Sequence, residues 1–173
     1  QFWFFGALII IYICLPVLKK FLNSKRSYLY ILSVLLVVGL IFELTNIVLQ
    51  MPIQTYVIQT FRLWTWFFYY LLGGFIAQFD KDIIKSRFKR WMKIIVVLLF
   101  LVSPLILFFL ARTTYHNSFA EYFYDILFVK VVSLGIFLTI LTLTLNEKWS
   151  ECIVSLSNQT MGVFIIHTYI MKV

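Results

Sequence analysis

Charge is scarce in this 173-residue chain, of which charged residues make up 13% and acidic residues number only 7. A soluble domain carries about 25% charged residues. Here 62% of the residues are hydrophobic and the mean hydropathy is +0.96, which is more apolar surface than a water-soluble fold of this size can bury. The composition therefore excludes a soluble domain and predicts a membrane protein whose main partners are membrane lipids.

Residues that commonly carry chemistry are also few. The two cysteines, Cys14 and Cys152, have no metal-ligand spacing, and we interpret them as small buried apolar residues. The sequence has no glycine-rich phosphate loop, no nucleophile elbow and no internal repeat. The net charge of +8 lies in short loops between apolar runs, which is how membrane topology is encoded. We therefore expect no bound metal and no nucleic-acid partner.

Long apolar runs dominate what is present. A helix needs about 20 residues to cross the hydrocarbon core, and the runs lack the alternation of membrane β-strands. Gly73-Gly74 in the third run is typical of a close helix crossing. The sequence predicts an all-α, polytopic transmembrane helix bundle of the plasma or inner membrane, forming one domain over residues 1–173. Its six predicted spans are 2–18, 27–50, 61–79, 91–111, 123–145 and 153–173.

Basic residues alternate between the predicted loops. The first, third and fifth loops carry most of the Lys and Arg residues, whereas residues 51–60 and 112–122 carry almost none. Because positive residues stay on the cytoplasmic side, we predict that the odd-numbered loops are inside and that the N-terminus is outside.

The third loop, residues 80–93, has a further pattern. Apolar residues such as Ile84 and Phe88 recur at helical spacing between basic residues, which is typical of a helix lying in the membrane interface against anionic headgroups. Its basic face could hold a phosphate-rich donor from the cytosol, although the positive-inside rule alone accounts for these charges.

Charged residues inside a span cost free energy unless they have a partner or a function. Glu43 lies on a polar face of the second span, which also carries Gly39, Asn46 and Gln50. At about 1.5 Å per residue, Glu43 and His167 both lie more than about 20 Å from the cytoplasmic ends of their spans. Both therefore fall in the outer half of the membrane. The same depth range is predicted for three charged residues near the outer ends of the third and fifth spans, Arg62, Asp125 and Lys130.

Two interpretations of these charged residues are open. Buried ion pairs, for instance of Glu43 with Arg62 or Lys130, could fix the packing of the helices. Alternatively, the residues line a water-filled cavity with a function, to which Tyr69 and Tyr70 could add hydrogen-bonding groups. For the group as a whole we favour the function.

Three segments resemble the membrane-bound acyltransferase family 3. The opening segment, QFWFFGALIIIYICLPVLKKF, is similar to the family's His-Leu-Trp-Phe-Leu segment with its following Tyr and Leu-Pro. FFYYLLGGFIA at 67–77 is similar to the family's Tyr-Phe-Leu-Leu-Gly segment. SLSNQTMGVFIIHTYIM at 155–171 looks like its terminal segment, with Ser157, Thr160, Gly162 and His167 in register.

This resemblance implies a protein of about ten spans, of which the sequence would be a fragment covering the later two-thirds. Such proteins move an acyl group, often acetyl or succinyl, from a cytoplasmic donor substrate such as acyl-CoA. The acceptor is commonly a hydroxyl of a surface polysaccharide, a lipopolysaccharide or another exported or lipid-linked glycan. The family's catalytic His has no counterpart in the printed residues, so we expect it upstream of Gln1.

We therefore expect an O-acyltransferase whose acceptor-side cavity is lined by the buried polar residues. The candidate catalytic residues are His167, Glu43 and Arg62. The candidate substrate contacts are Trp3, at the level of the membrane interface, and Asn46, Tyr69 and Lys130. Two alternatives are a transporter or flippase for a lipid-linked glycan, with a similar cavity but no reaction, and a catalytically incomplete membrane subunit.

The predicted topology can be tested with single cysteines at Lys85 and Gln54, introduced after Cys14 and Cys152 have been replaced. A membrane-impermeant maleimide added to intact cells should label position 54 and leave position 85 unlabelled until the cells are opened. Labelling of position 85 but not of position 54 in intact cells would reverse the predicted orientation.

Overall fold

The computed structural model describes residues 3–50, 56–114, 116, 125–144, 146–147, 149–157 and 160. Every long regular element within these residues is an α-helix, and none of them is in a strand, which confirms the predicted all-α class. The helices are α1 (Trp3–Phe21), α2 (Lys25–Leu49), α3 (Leu63–Ile76), α4 (Lys81–Arg87), α5 (Arg90–Thr113) and α6 (Leu127–Leu141). A single turn of 3₁₀-helix, Gln59–Phe61, precedes α3.

Three helices, α1, α2 and α5, are long and apolar enough to cross a membrane. α5 is the clearest case, because its mean hydropathy reaches 3.1 and large apolar side chains along it remain exposed. Leu101 and Phe109, for example, are 64% and 62% exposed. Such a surface is stable against lipid tails and would aggregate in water, so the prediction of a membrane protein is confirmed.

α3 and α6 are shorter than the spans predicted for them, 61–79 and 123–145. They have 14 and 15 residues, which corresponds to about 21 to 23 Å of helix, less than the roughly 30 Å of the hydrocarbon core. Two buried charged residues, Arg62 and Asp125, lie just before the N-terminal ends of these α-helices.

The predicted interface helix over residues 80–93 is wrong in its extent, because α4 covers only Lys81–Arg87. Its N-terminus is capped by Asp80, whose carboxylate accepts a hydrogen bond of 3.0 Å from the Asp82 N–H. The chain leaves the helix at Phe88, whose side chain is buried, and α5 then begins at Arg90.

The helices from Trp3 to Leu141 pack in two closely contacting pairs, α2 with α3 and α5 with α6, and α2 also contacts α6. Leu32, Phe68 and Leu71 form the apolar core of the first pair. In the second pair, Val96 packs directly on Gly135, where an added Cβ would lie only 2.7 Å from a Val96 methyl group. Gly135 therefore sets how closely α5 and α6 approach.

The described residues after Thr142 form a separate unit, in which residues 149–157 are helical. Cys152 lies in this helical segment and is exposed, so its prediction as a buried residue is wrong; Cys14, on α1, is half-buried. The sixth predicted span, 153–173, lies mostly outside the described residues.

Polar side chains on the apolar helices satisfy nearby backbone carbonyls. Pro104 has no amide hydrogen to donate to the Phe100 carbonyl, four residues earlier. The Ser103 hydroxyl donates to that carbonyl instead, at 2.7 Å, and α5 continues through the proline. Thr45 and Thr113 donate in the same way to carbonyls four residues earlier. These hydroxyl groups therefore do not have to be hydrated within lipid.

We predict that Gly135→Ala destabilises the α5–α6 pair. Overpacking costs about 1–3 kcal/mol, which exceeds the gain of up to about 1 kcal/mol that alanine brings to a helix interior. The thermal unfolding midpoint of the intact protein in detergent should fall, and Val96→Ala should restore part of it. Gly73→Ala is the matched control, since an added Cβ there meets nothing within 4 Å. An equal response of both glycine variants would contradict this account of the packing.

Candidate active site

The N-terminal ends of the two short helices meet through a buried hydrogen bond. Thr65, in the first turn of α3, is fully buried, and its hydroxyl donates to the Asp125 carboxylate. Asp125 lies just before α6 and is itself only 3% exposed. This bond joins α3 to the chain entering α6.

Lys130 brings a positive charge to the same place. Its side chain is 4% exposed, and its ammonium lies over the Phe68 ring, 5.4 Å from the centroid. It also lies against Gly39 of α2, where an added Cβ would be 2.5 Å from Nζ. The carboxylates of Asp125 and Glu43 are both within electrostatic range of this ammonium. Depth along the helices predicts the convergence of five titratable groups, and three of them, Glu43, Asp125 and Lys130, lie near one another in the structure.

Glu43 contacts the first residue of α6 directly. Its Oε2 accepts a hydrogen bond of 3.0 Å from the Leu127 N–H. The residue at the N-cap of α6, Ile126, has no side-chain acceptor of its own, so a carboxylate from α2 caps this helix. A negative charge at a helix N-terminus also interacts favourably with the helix dipole. Glu43 therefore has a definite structural role, whatever else it does.

Arg62 stands at the start of α3 with 4% of its surface exposed. Its Nε donates to the Val57 carbonyl at 3.2 Å, and its own carbonyl accepts from the Thr65 N–H at 3.1 Å. These contacts fix the turn that leads into the helix.

The remaining predicted polar residues lie in different places. Asn46 is buried on α2, one turn beyond Glu43. Gln50, predicted on the same face, ends α2 in the left-handed conformation with φ 52° and is exposed. Tyr70 points towards α1, where it packs edge-on against Tyr12 with 6.3 Å between ring centroids. Gln50 and Tyr70 therefore lie on surfaces other than the one that carries Glu43 and Lys130.

Tyr69 is on the side of α3 that faces α6, and its side chain is hydrogen-bonded to Ser133. Trp3 is the first residue of α1, and its side chain is not among those described. His167 lies outside the described residues.

Two hydroxyl residues that were not predicted from the sequence also lie here: Thr65, bonded to Asp125, and Ser133, bonded to Tyr69. Thr65 follows Arg62 by three residues and Ser133 follows Lys130 by three. That spacing places each hydroxyl on the same helical face as the charged residue, and it is the signal that could have identified them. We refer to Glu43, Thr65, Asp125 and Lys130 as the buried charged cluster, in which Thr65, Asp125 and Lys130 are buried and Glu43 is half-buried. It offers proton acceptors, a cation and a hydroxyl donor within an apolar bundle.

The fold and the buried charged cluster define an all-α membrane protein with a polar site where two short helices begin. A family model described as an acyltransferase domain matches residues 1–173. The chain belongs to this family, acyltransferase family 3, which confirms the family predicted from the three segments. Membership supports membrane acyltransferase activity. No curated protein and no solved structure matches the chain significantly.

We predict that the capping role of Glu43 depends on its oxygen more than on its charge. Glu43→Ala leaves the Leu127 N–H without its acceptor and should lower the free energy of unfolding by about 1–2 kcal/mol. Glu43→Gln keeps an acceptor oxygen and should retain most of that stability. Thermal unfolding of the intact protein in detergent measures both. If the two variants are destabilised equally, the hydrogen bond is not what Glu43 contributes.

Proposed function

We propose that the intact protein is a multi-pass plasma or inner membrane O-acyltransferase. It transfers an acyl group of the acetyl or succinyl type from a cytoplasmic acyl-CoA donor to a hydroxyl of a cell-surface or exported glycan. The observation that carries this proposal is the acyltransferase match over residues 1–173, together with a buried charged cluster in a chain otherwise suited to lipid. Charges in such surroundings generally mark a functional site.

In the proposed reaction the hydroxyl oxygen of the glycan attacks the thioester carbonyl of the donor. A C–O ester bond forms, the C–S bond breaks, and the hydroxyl proton passes to a base while the sulfur leaves and is protonated to free CoA. Negative charge develops on the carbonyl oxygen and must be stabilised by donors or a cation. The family resemblance implies that this base is a His.

Within this scheme Lys130 supplies a cation to the site, held by Gly39 and Phe68 against the two carboxylates. Glu43, Arg62 and His167 line the acceptor side, and Trp3, Asn46 and Tyr69 contact substrate. The contacts of Arg62 with Val57 and of Glu43 with Leu127 would then hold these side chains in place. A site built on helix ends suits the precise positioning that acyl transfer requires.

A second candidate function is the transport or flipping of a lipid-linked glycan. It is favoured by the short helices α3 and α6, since transporters often place the N-termini of interrupted helices at their substrate sites. Against it, the first N–H group of α6 is already bound by Glu43. A catalytically incomplete membrane subunit is a third possibility, in which the cluster would serve packing alone.

Charge removal in the cluster separates a catalytic role from a purely structural one. Lys130→Met removes the ammonium, which leaves the buried Asp125 carboxylate less compensated and should lower the amount of folded protein. Adding Asp125→Asn removes that charge while keeping an acceptor for Thr65, and should restore the amount. We expect acyl transfer per folded molecule of the intact protein to remain reduced in the double variant, on the order of a hundredfold.

Lys93→Met is the matched control for this experiment. Lys93 is another partly buried cation, but it donates to the Thr142 carbonyl at 3.2 Å, at the opposite end of α6 from the cluster. Its replacement should affect stability without changing acyl transfer per folded molecule when the acyl-CoA donor is saturating. The Lys130→Met/Asp125→Asn variant could instead recover full activity together with the amount of folded protein. That result would show that the cluster serves helix packing and not catalysis.

A further inference from the structure

A cavity of about 240 Å³ lies between the second halves of α3 and α6. Most of its wall is apolar, and only two hydroxyl side chains, Tyr69 and Ser133, bring polar atoms to it. The lining residues are Tyr69, Leu72, Gly73, Ile76, Ser133, Leu134 and Phe137.

The polar part of this cavity adjoins the buried charged cluster. Tyr69 follows Thr65 by one helical turn on α3, and Ser133 follows Lys130 by about one turn on α6. The two hydroxyl side chains are hydrogen-bonded to each other, and Asp125 lies within electrostatic range of Tyr69. Beyond them, towards the C-terminal ends of both helices, the cavity wall is apolar as far as Ile76 and Phe137.

Gly73 leaves part of this space open. A Cβ built at Gly73 meets no atom within 4 Å, whereas one built at Gly39 or Gly135 would approach a neighbouring side chain closer than 3 Å. Gly73 is therefore not required for a close approach of helices, contrary to the expectation for Gly73-Gly74. Because Gly73 has no side chain, the cavity has more volume at this position.

We propose that this cavity holds the hydrocarbon part of the acyl group during transfer, and that Gly73 sets the longest chain accepted. This inference rests on the proposed acyltransferase function. An apolar protein cavity of about 150 Å³ can admit benzene, so the volume here suffices for a chain of up to roughly six carbons. The Tyr69–Ser133 pair would face the thioester end of the chain, next to the cluster, as the few polar groups of a ligand pocket orient the ligand.

The test is a donor series of acetyl-CoA, butyryl-CoA and hexanoyl-CoA, used with the intact protein in detergent and its Gly73→Leu variant. The added side chain occupies the cavity, and leucine is a better helix former than glycine, so the variant should fold. We expect kcat/KM for hexanoyl-CoA to fall at least about tenfold more than kcat/KM for acetyl-CoA, which is the range for methylene groups in a filled pocket. Gly73→Ala should have a smaller effect in the same direction.

Gly74→Ala is the matched control, because a Cβ at Gly74 would make ordinary contact with the Tyr28 hydroxyl, 3.6 Å away, and Gly74 does not line the cavity. The control should leave the ratio of the two kcat/KM values unchanged. An unchanged ratio in Gly73→Leu, or an equal loss with all three donors, would overturn the assignment of the cavity while leaving the acyltransferase function intact.

Binding provides a second measurement that does not depend on turnover. Hexanoyl-CoA should raise the thermal unfolding midpoint of the wild-type protein more than free CoA does, and Gly73→Leu should abolish the difference. If the wild type transfers none of these three acyl groups and no succinyl group from succinyl-CoA, the proposed function fails, and this measurement still decides the cavity. A midpoint raised equally by hexanoyl-CoA and CoA would overturn the cavity proposal.

Discussion

The need to satisfy the backbone at both ends of α6 organises much of the structure. In lipid, an unsatisfied backbone N–H or C=O costs several kcal/mol, and α6 has no side-chain cap of its own at its N-terminus. Glu43 of α2 accepts from the Leu127 N–H at that end, and Lys93 of α5 donates to the Thr142 carbonyl at the other. Each charge also has the sign that the helix dipole favours at its end. These two contacts tie three helices together.

The buried charged cluster follows from the same arrangement. Because α3 and α6 begin within the bundle, the residues before and just inside their first turns are brought together there. Thr65 and Asp125 are joined directly, and Lys130, in the first turn of α6, lies within electrostatic range of Asp125. An interruption of helices at membrane depth is tolerated where it is buried in protein or lines a cavity. The side chains that join the ends of α3 and α6 are therefore the same ones to which the proposed chemistry is assigned.

Much of the fold could be predicted from the sequence, because a protein surrounded by lipid must have mostly apolar side chains in its spans. Apolar content alone gave the membrane class, and depth along each span brought Glu43, Asp125 and Lys130 together correctly. The family match confirms a resemblance based on three degenerate segments, which were informative through their order along the chain.

Other features depend on tertiary contacts that no local pattern records. Apolar runs continue past the true ends of α3 and α6, so hydropathy placed those ends several residues too far out. The side of α3 that Tyr70 faces depends on where α1 packs. Gly73 resembles a packing glycine in sequence, and only its neighbours in space distinguish it from Gly135. The roles in catalysis or substrate binding assigned to the candidate site residues remain predictions; these residues are Trp3, Glu43, Asn46, Arg62, Tyr69, Lys130 and His167.

The central claim is that acyl transfer takes place at the buried charged cluster, within the membrane. The most direct test uses proteoliposomes of the intact protein, with acetyl-CoA labelled in its acetyl group on the side of residues 80–93 and an acceptor glycan on the opposite side. The account predicts label in ester linkage on the glycan, and free CoA released on the donor side. Passage of unmodified glycan across the membrane, with no ester formed, would contradict it and identify a transporter instead.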